Sequence, residues 1–125
     1  MKVFAVAACL SIAMLMGPTA RAQDAAEGEK LFKRLCGVCH IAEKDSTKRG
    51  VGPNLWGIVG RKAGSVEGFR YSEANKNSGI VWSAETLDPY LESPRKEIPG
   101  TSMAFAGLRK PEERKAMIAY LLTLK

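Results

Sequence analysis

Cys36-Gly37-Val38-Cys39-His40 is the stretch on which the whole chain turns. Two thiols three residues apart, followed at once by an imidazole, form a c-type haem attachment site. The spacing has a physical reason. Two thiols on one turn of chain meet the two vinyl groups on one side of a porphyrin, and the adjacent His40 ring then lies under the iron. A redox dithiol of the Cys-x-x-Cys kind is the alternative. It leaves His40 unexplained, and no βαβ pattern surrounds the motif. Zinc is weaker still, because the segment supplies too few ligands to close a structural site.

The remaining composition narrows the chemistry. A length of 125 residues gives room for one domain. Hydrophobic residues make up 46%, too many for a disordered tail. Three cysteines rule out a disulfide-dense scaffold. A single histidine rules out His-rich zinc hydrolases, two-His iron oxygenases and a bis-His haem.

Upstream of the motif, Lys2 is followed by the apolar run Val3 to Met16, then by Gly17-Pro18 and Ala20-Arg21-Ala22. The last three fit the small-x-small rule of signal peptidase. Residues 1–22 are expected to be a secretory signal cleaved after Ala22, which places the product in the periplasm, where thioether bonds to haem form. An uncleaved anchor is the alternative, but the run falls short of the roughly 20 apolar residues a bilayer span needs. Cys9 lies too early in the run for lipoprotein processing. The expected domain, residues 23–125, keeps Cys36, Cys39, Met103 and Met117, and the net charge falls from +6 to +4. Nucleic acid is not an expected partner of such a protein.

Helical spacing predicts an all-α fold. One helix is expected over Ala25–Leu35, with Asp24 as cap, Glu27 and Glu29 at its positive end, and Gly28, Leu31, Phe32 and Leu35 on one face. Short helices are expected near Tyr71–Lys76 and over Ala84–Glu92, the second capped by Ser83 and ended by Pro94. A last helix starts near Lys110, with Pro111 in its first turn and Met117, Ile118, Leu121 and Leu122 on one face. Residues 41–70 and 98–107 read as loop. So much loop in so short a chain calls for something to wrap, and a large apolar cofactor supplies it.

The iron takes a sixth ligand from elsewhere or stays open. Met117 sits on the apolar face of the last helix and reads as core. Met103 sits in the loop Pro99-Gly100-Thr101-Ser102-Met103-Ala104-Phe105, from which it can reach the iron opposite His40. A thioether ligand favours ferrous iron and raises the potential.

The haem motif, Gly52-Pro53-Asn54-Leu55-Trp56-Gly57, Gly60-Arg61-Lys62 and Pro99-Gly100-Thr101-Ser102-Met103, in this order, together with Tyr71 to Trp82 and Glu112 to Leu121, resemble the class I cytochromes c. The likeness is to both mitochondrial cytochrome c and bacterial cytochrome c2 and covers nearly all of residues 25–124. It implies a single haem-centred fold in which N- and C-terminal helices cross, near Gly28 and Tyr120, and short middle helices and long loops wrap the haem. It implies one haem c on Cys36 and Cys39, with His40 and Met103 as axial ligands and the Pro53 carbonyl orienting His40. Arg61, Tyr71 and Trp82 match residues bonding the inner propionate region. Asn75, Tyr90 and Thr101 match a buried polar network near the Met ligand, and Phe105 the aromatic beside the exposed haem edge. One extra stretch between His40 and Gly52, relative to mitochondrial relatives, points to the bacterial branch.

The implied function is a soluble, monomeric periplasmic one-electron carrier without a stable membrane anchor. It would run between a cytochrome bc complex and a terminal oxidase, photosynthetic reaction centre or peroxidase. Lys30, Lys33, Arg34, Arg95, Lys96, Arg109 and Lys110 flank the haem edge in the family and would steer it to acidic membrane redox complexes. Leu35 and Ser102 stand where mitochondrial relatives carry Lys, which weakens the ring. In the family a loop Lys replaces the Met ligand at alkaline pH, and with Ser102 in place of one candidate the resemblance implies Lys96 as the main substitute. A small haem peroxidase would need an open iron and a distal acid–base residue, for which no second His exists. A gas sensor would need a five-coordinate iron and an output domain.

Overall fold

The structure, a computed structural model, describes residues 19–125. The apolar run, Cys9 and the rest of residues 1–18 of the expected signal lie outside the described residues. Five helices follow in order: α1 (Thr19–Leu35), α2 (Glu73–Lys76), α3 (Ala84–Glu92), α4 (Pro94–Glu97) and α5 (Pro111–Leu121). Among the described residues the only β pairing is an isolated bridge between Lys62 and Val81. None of these helices is long and apolar enough to cross a membrane.

α1 begins earlier than its expected Ala25 start. Thr19-Ala20-Arg21-Ala22-Gln23 contains strong helix formers and no breaker, so the helix runs through it. Asp24 is therefore an interior residue rather than a cap, and its carboxylate pairs with Lys115 of α5 at 3.5 Å. Glu27 and Glu29 likewise serve no helix end. They pair along the helix with Lys30 at 3.6 Å and Lys33 at 2.7 Å.

α3 has its expected bounds because Ser83 and Thr86 form a capping box. The Ser83 hydroxyl accepts from Thr86 N–H, and Thr86 accepts from Ser83 N–H at 2.8 Å. Ser72 caps α2 in the same way by accepting from Asn75 N–H at 3.1 Å. Pro94 ends α3 as expected but also opens α4 at its first position, where a missing N–H does no harm. That single turn was not expected, although Ser93-Pro94 was a signal for it.

The core lies where α1 crosses α5. A Cβ on Gly28 would stand 2.0 Å from the Ala116 carbonyl oxygen, so only glycine lets the two backbones approach this closely. Phe32 and Tyr120 pack at a tilt of 53° beside the crossing with ring centroids 5.3 Å apart. Leu31, Ala116, Met117, Ile118 and Leu121 are buried there. Leu122, expected on the same face, lies just past the helix and is 43% exposed. One side of this helix pair faces loop rather than a further helix, and the site lies between them.

Candidate functional site

The end of α1 delivers the motif. Cys36 and Gly37 N–H both donate to Phe32 O, and Cys39 and His40 N–H both donate to Cys36 O at 3.0 and 2.8 Å. The five residues thus form a further tight turn. Across it, Gly52 N–H donates to Cys39 O and Leu55 N–H to Ile41 O, at 2.9 and 2.7 Å. This pairing brings the Pro53 carbonyl to 2.8 Å from His40 Nδ1. A carbonyl can only accept, so Nδ1 carries the proton and Nε2 keeps the ring's free electron pair. Burial lowers the His40 pKa against the opposing effect of the Pro53 bond, which favours this neutral form. A Cβ on Gly52 would stand 2.4 Å from the His40 ring, so the glycine makes room for it.

His40 opens onto a cavity of about 310 Å³ that also receives Cys36, Cys39, Tyr71, Asn75, Trp82, Tyr90, Thr101, Met103 and Phe105. The 41–70 loops close one side. Gly60 N–H donates to Trp82 O, Trp82 N–H to Arg61 O and Ala63 N–H to Ile80 O. These bonds hold the buried Trp82 indole against Tyr90, ring centroids 4.6 Å apart. The opposite wall is the 99–106 segment. Thr101 Oγ1 accepts from Met103 N–H, and the Tyr90 hydroxyl points at the Met103 sulfur from 3.6 Å. Phe32, Leu35, Leu55, Ile58, Leu87, Leu91 and Leu121 make up much of the apolar lining.

Arg61 is the one expected site residue that does not line the cavity. It stands close enough to Tyr71 to pull that phenol's pKa down, a lesser effect than the burial that raises it. Both methionines of residues 19–125 line the cavity, so lining alone does not separate them. Their mounts differ: Met117 is 1% exposed on the rigid α5, and Met103 is half-buried in loop. Phe69, Val38, Val51 and Ser102 complete the rim and were not singled out as lining in the sequence. No local pattern marks them, because they meet only through the fold.

The donor set fits a haem. The lining is predominantly apolar and, among the described residues, holds no Asp, Glu, Lys or Arg. Its few polar groups have bonding capacity left. Asn75 Oδ1 is buried without a hydrogen-bond partner. The Tyr71 hydroxyl accepts from Val66 N–H at 3.1 Å, and its own proton finds no acceptor among the described residues. The free Tyr71 O–H can donate to the carboxylate edge of an otherwise apolar macrocycle, whereas Asn75 Oδ1 is an acceptor and calls for a donor. Cys36 is half-buried and Cys39 exposed, so the thiols sit at the wall and the rim. Burial pushes the Cys36 thiol up to about 11.

Comparison with known proteins agrees with this geometry. The cytochrome c family model matches residues 25–125. Cytochrome c type-1 of Ascaris suum is 53% identical over 98 residues, covering 78% of this chain and 86% of its own. Cytochrome c of Chlamydomonas reinhardtii is 52% identical over 102 residues, covering 82% and 90%. Cytochrome c of Trypanosoma brucei brucei reaches 66% over a shorter 76 residues, 61% and 82% of the two chains. The chain belongs to the cytochrome c family, class I, and carries one haem c bound covalently through Cys36 and Cys39.

Proposed function

We propose that this chain is a soluble periplasmic electron shuttle whose haem iron is held between His40 Nε2 and Met103 Sδ. The haem supplies one-electron chemistry when bound; the chain supplies the rest. The Pro53 carbonyl and Gly52 hold the His40 ring in one orientation. The Tyr90 hydroxyl, kept protonated by burial, steadies the Met103 sulfur. Apolar walls keep water out, and a thioether ligand in a dry site favours a positive potential. His40, fixed by Pro53 and Gly52, and Met103, met by the Tyr90 hydroxyl, would hold the group in the same way in both oxidation states, so the chain itself would rearrange little.

One observation carries the reading: the cavity gathers both thiols, His40 and Met103, and among the described residues no Asp, Glu, Lys, Arg or second His lines it. A peroxidase would need such a distal acid–base group. Export to the periplasm rests on residues 1–22 of the sequence, and the relatives named above are eukaryotic.

For partners, the reading is an acidic face on a membrane redox complex, with a cytochrome bc complex as donor and an oxidase, reaction centre or peroxidase as acceptor. Lys30, Lys33 and Lys110 are engaged by Glu27, Glu29 and Glu113. Arg95 and Arg109 have no ion pair among the described residues. Together with Phe105 they line a shallow groove that meets the cavity mouth. Docking charge thus falls on Arg34, Arg95, Lys96 and Arg109, and association should weaken with salt.

The test is an optical spectrum of the purified oxidised protein through a redox titration. A weak long-wavelength sulfur-to-iron band, lost in Met103→Ala and kept in Met117→Leu, with a positive potential, is the expected result. A high-spin spectrum without the band would overturn the closed-carrier reading.

A further inference from the structure

Among the described residues Arg114 is the one charged residue buried in the core, 7% exposed. Its Nε donates to Asp88 Oδ1 of α3 at 2.8 Å, and its Nη1 donates to the carbonyls of Leu108 and Arg109, each at 3.0 Å. A planar guanidinium can serve three acceptors at fixed angles, and an ammonium cannot reproduce that fork. The two carbonyls belong to the downstream end of the segment that carries Met103. The same end is held by Leu108 N–H donating to Leu91 O at 2.7 Å. The upstream end is fixed by Thr101 N–H on Ile98 O and by Ile98 itself, 2% exposed. Between these ends, residues 102–106 make, among the described residues, only the two Met103 hydrogen bonds given above. The segment is a span pinned at both ends, with Met103 near its middle.

We infer that Arg114 is a positioning residue for Met103: with Asp88 it clasps α5, α3 and the 108–109 carbonyls together, and so sets how readily the Met103 segment releases its sulfur. The inference rests on Met103 being the axial ligand. Asp88 lies two residues before Tyr90, so the clasp and the hydroxyl that meets the sulfur share one helix. Removing the fork leaves two carbonyls without their donor and loosens the downstream pin first.

The test is an imidazole titration of the haem-loaded oxidised protein, because imidazole enters only by displacing the sulfur. Loss of the sulfur-to-iron band reads the binding, and amide hydrogen exchange at Leu108 reads the pin. Arg114→Lys should tighten imidazole binding roughly tenfold and speed Leu108 exchange by a similar factor. Asp88→Asn keeps the carbonyl bonds and should give about a third of that change. Ile118→Val, also on α5, loosens the core without touching the clasp and should move imidazole affinity less than about twofold. If Arg114→Lys and Asp88→Asn shift affinity no more than Ile118→Val does, Arg114 is only a core residue and the inference falls. Should Arg114→Lys not fold, Asp88→Asn against Ile118→Val decides. A wild-type spectrum without the band overturns the His40–Met103 reading and the clasp together. A normal band with unmoved affinities overturns the clasp alone.

Discussion

Gly28 and Gly107 are both pressed against a carbonyl oxygen, so closely that a Cβ on either would stand 2.0 Å from it. Gly28 meets Ala116 where two regular helices cross, and the helices on both sides satisfy their own backbone bonds. Gly107 meets Glu92 at φ +113, at the end of a segment with few hydrogen bonds of its own. The first contact belongs to a packed interface that has no room to yield. The second is one of several single points that pin a span over a cavity. The helix crossing is thus held mainly by its own packing, although Phe32, Met117 and Leu121 also face the cavity, and the 99–107 segment by pins together with the group it encloses.

Gly28→Val should break the first half outright. Neither backbone can retreat without unpacking Leu31, Phe32, Met117 and Leu121, so the loss should be about 4 kcal/mol or more. Denaturant unfolding of the haem-loaded protein measures it, and a loss under about 1 kcal/mol would mean that the crossing is far looser than drawn. Gly107→Ala combines a left-handed backbone penalty with the clash at Glu92, for about 3 kcal/mol. Here the loop can yield locally, so the sulfur-to-iron band should weaken at denaturant concentrations where the helices remain folded. Concerted loss of both signals would make the two halves one unit.

The same division explains what the sequence disclosed. The haem motif, the Ser83 cap and the Pro111 start are local patterns, legible because their physics spans one helical turn. His40 and Pro53 lie thirteen residues apart, and the resemblance rather than any local rule paired them. Local rules misplaced Asp24 and Leu122, whose roles depend on what lies beyond their own turn. They also passed over the Asp88–Arg114 pair, 26 residues apart, because two charges on distant helices carry no mark of being partners.

A milder change sharpens the line between the halves. Ser83→Ala removes one side of the capping box at the start of α3, for about 1 kcal/mol. Because α3 carries Tyr90 and Asp88, part of that loss should reach the cavity as easier imidazole entry. If stability falls and imidazole affinity does not move, α3 belongs energetically with the helix pair.

Lys96→Ala should have the smallest effect on the fold and a specific one on the site. Lys96 is exposed on α4, between the buried Pro94 and Ile98, and forms no ion pair among the described residues. Its loss should leave the unfolding midpoint where it was. An amine binds iron only after it has shed its proton, so replacement of Met103 by a lysine is favoured as pH rises. Ser102, at the cavity rim, offers no amine, which leaves Lys96 as the main candidate on this side. Taking it away forces the switch onto amines farther from the span, so the alkaline loss of the sulfur-to-iron band should move to higher pH. A band that disappears at the same pH with and without Lys96 would mean that the span opens by itself, and that its pins rather than the incoming amine set the limit.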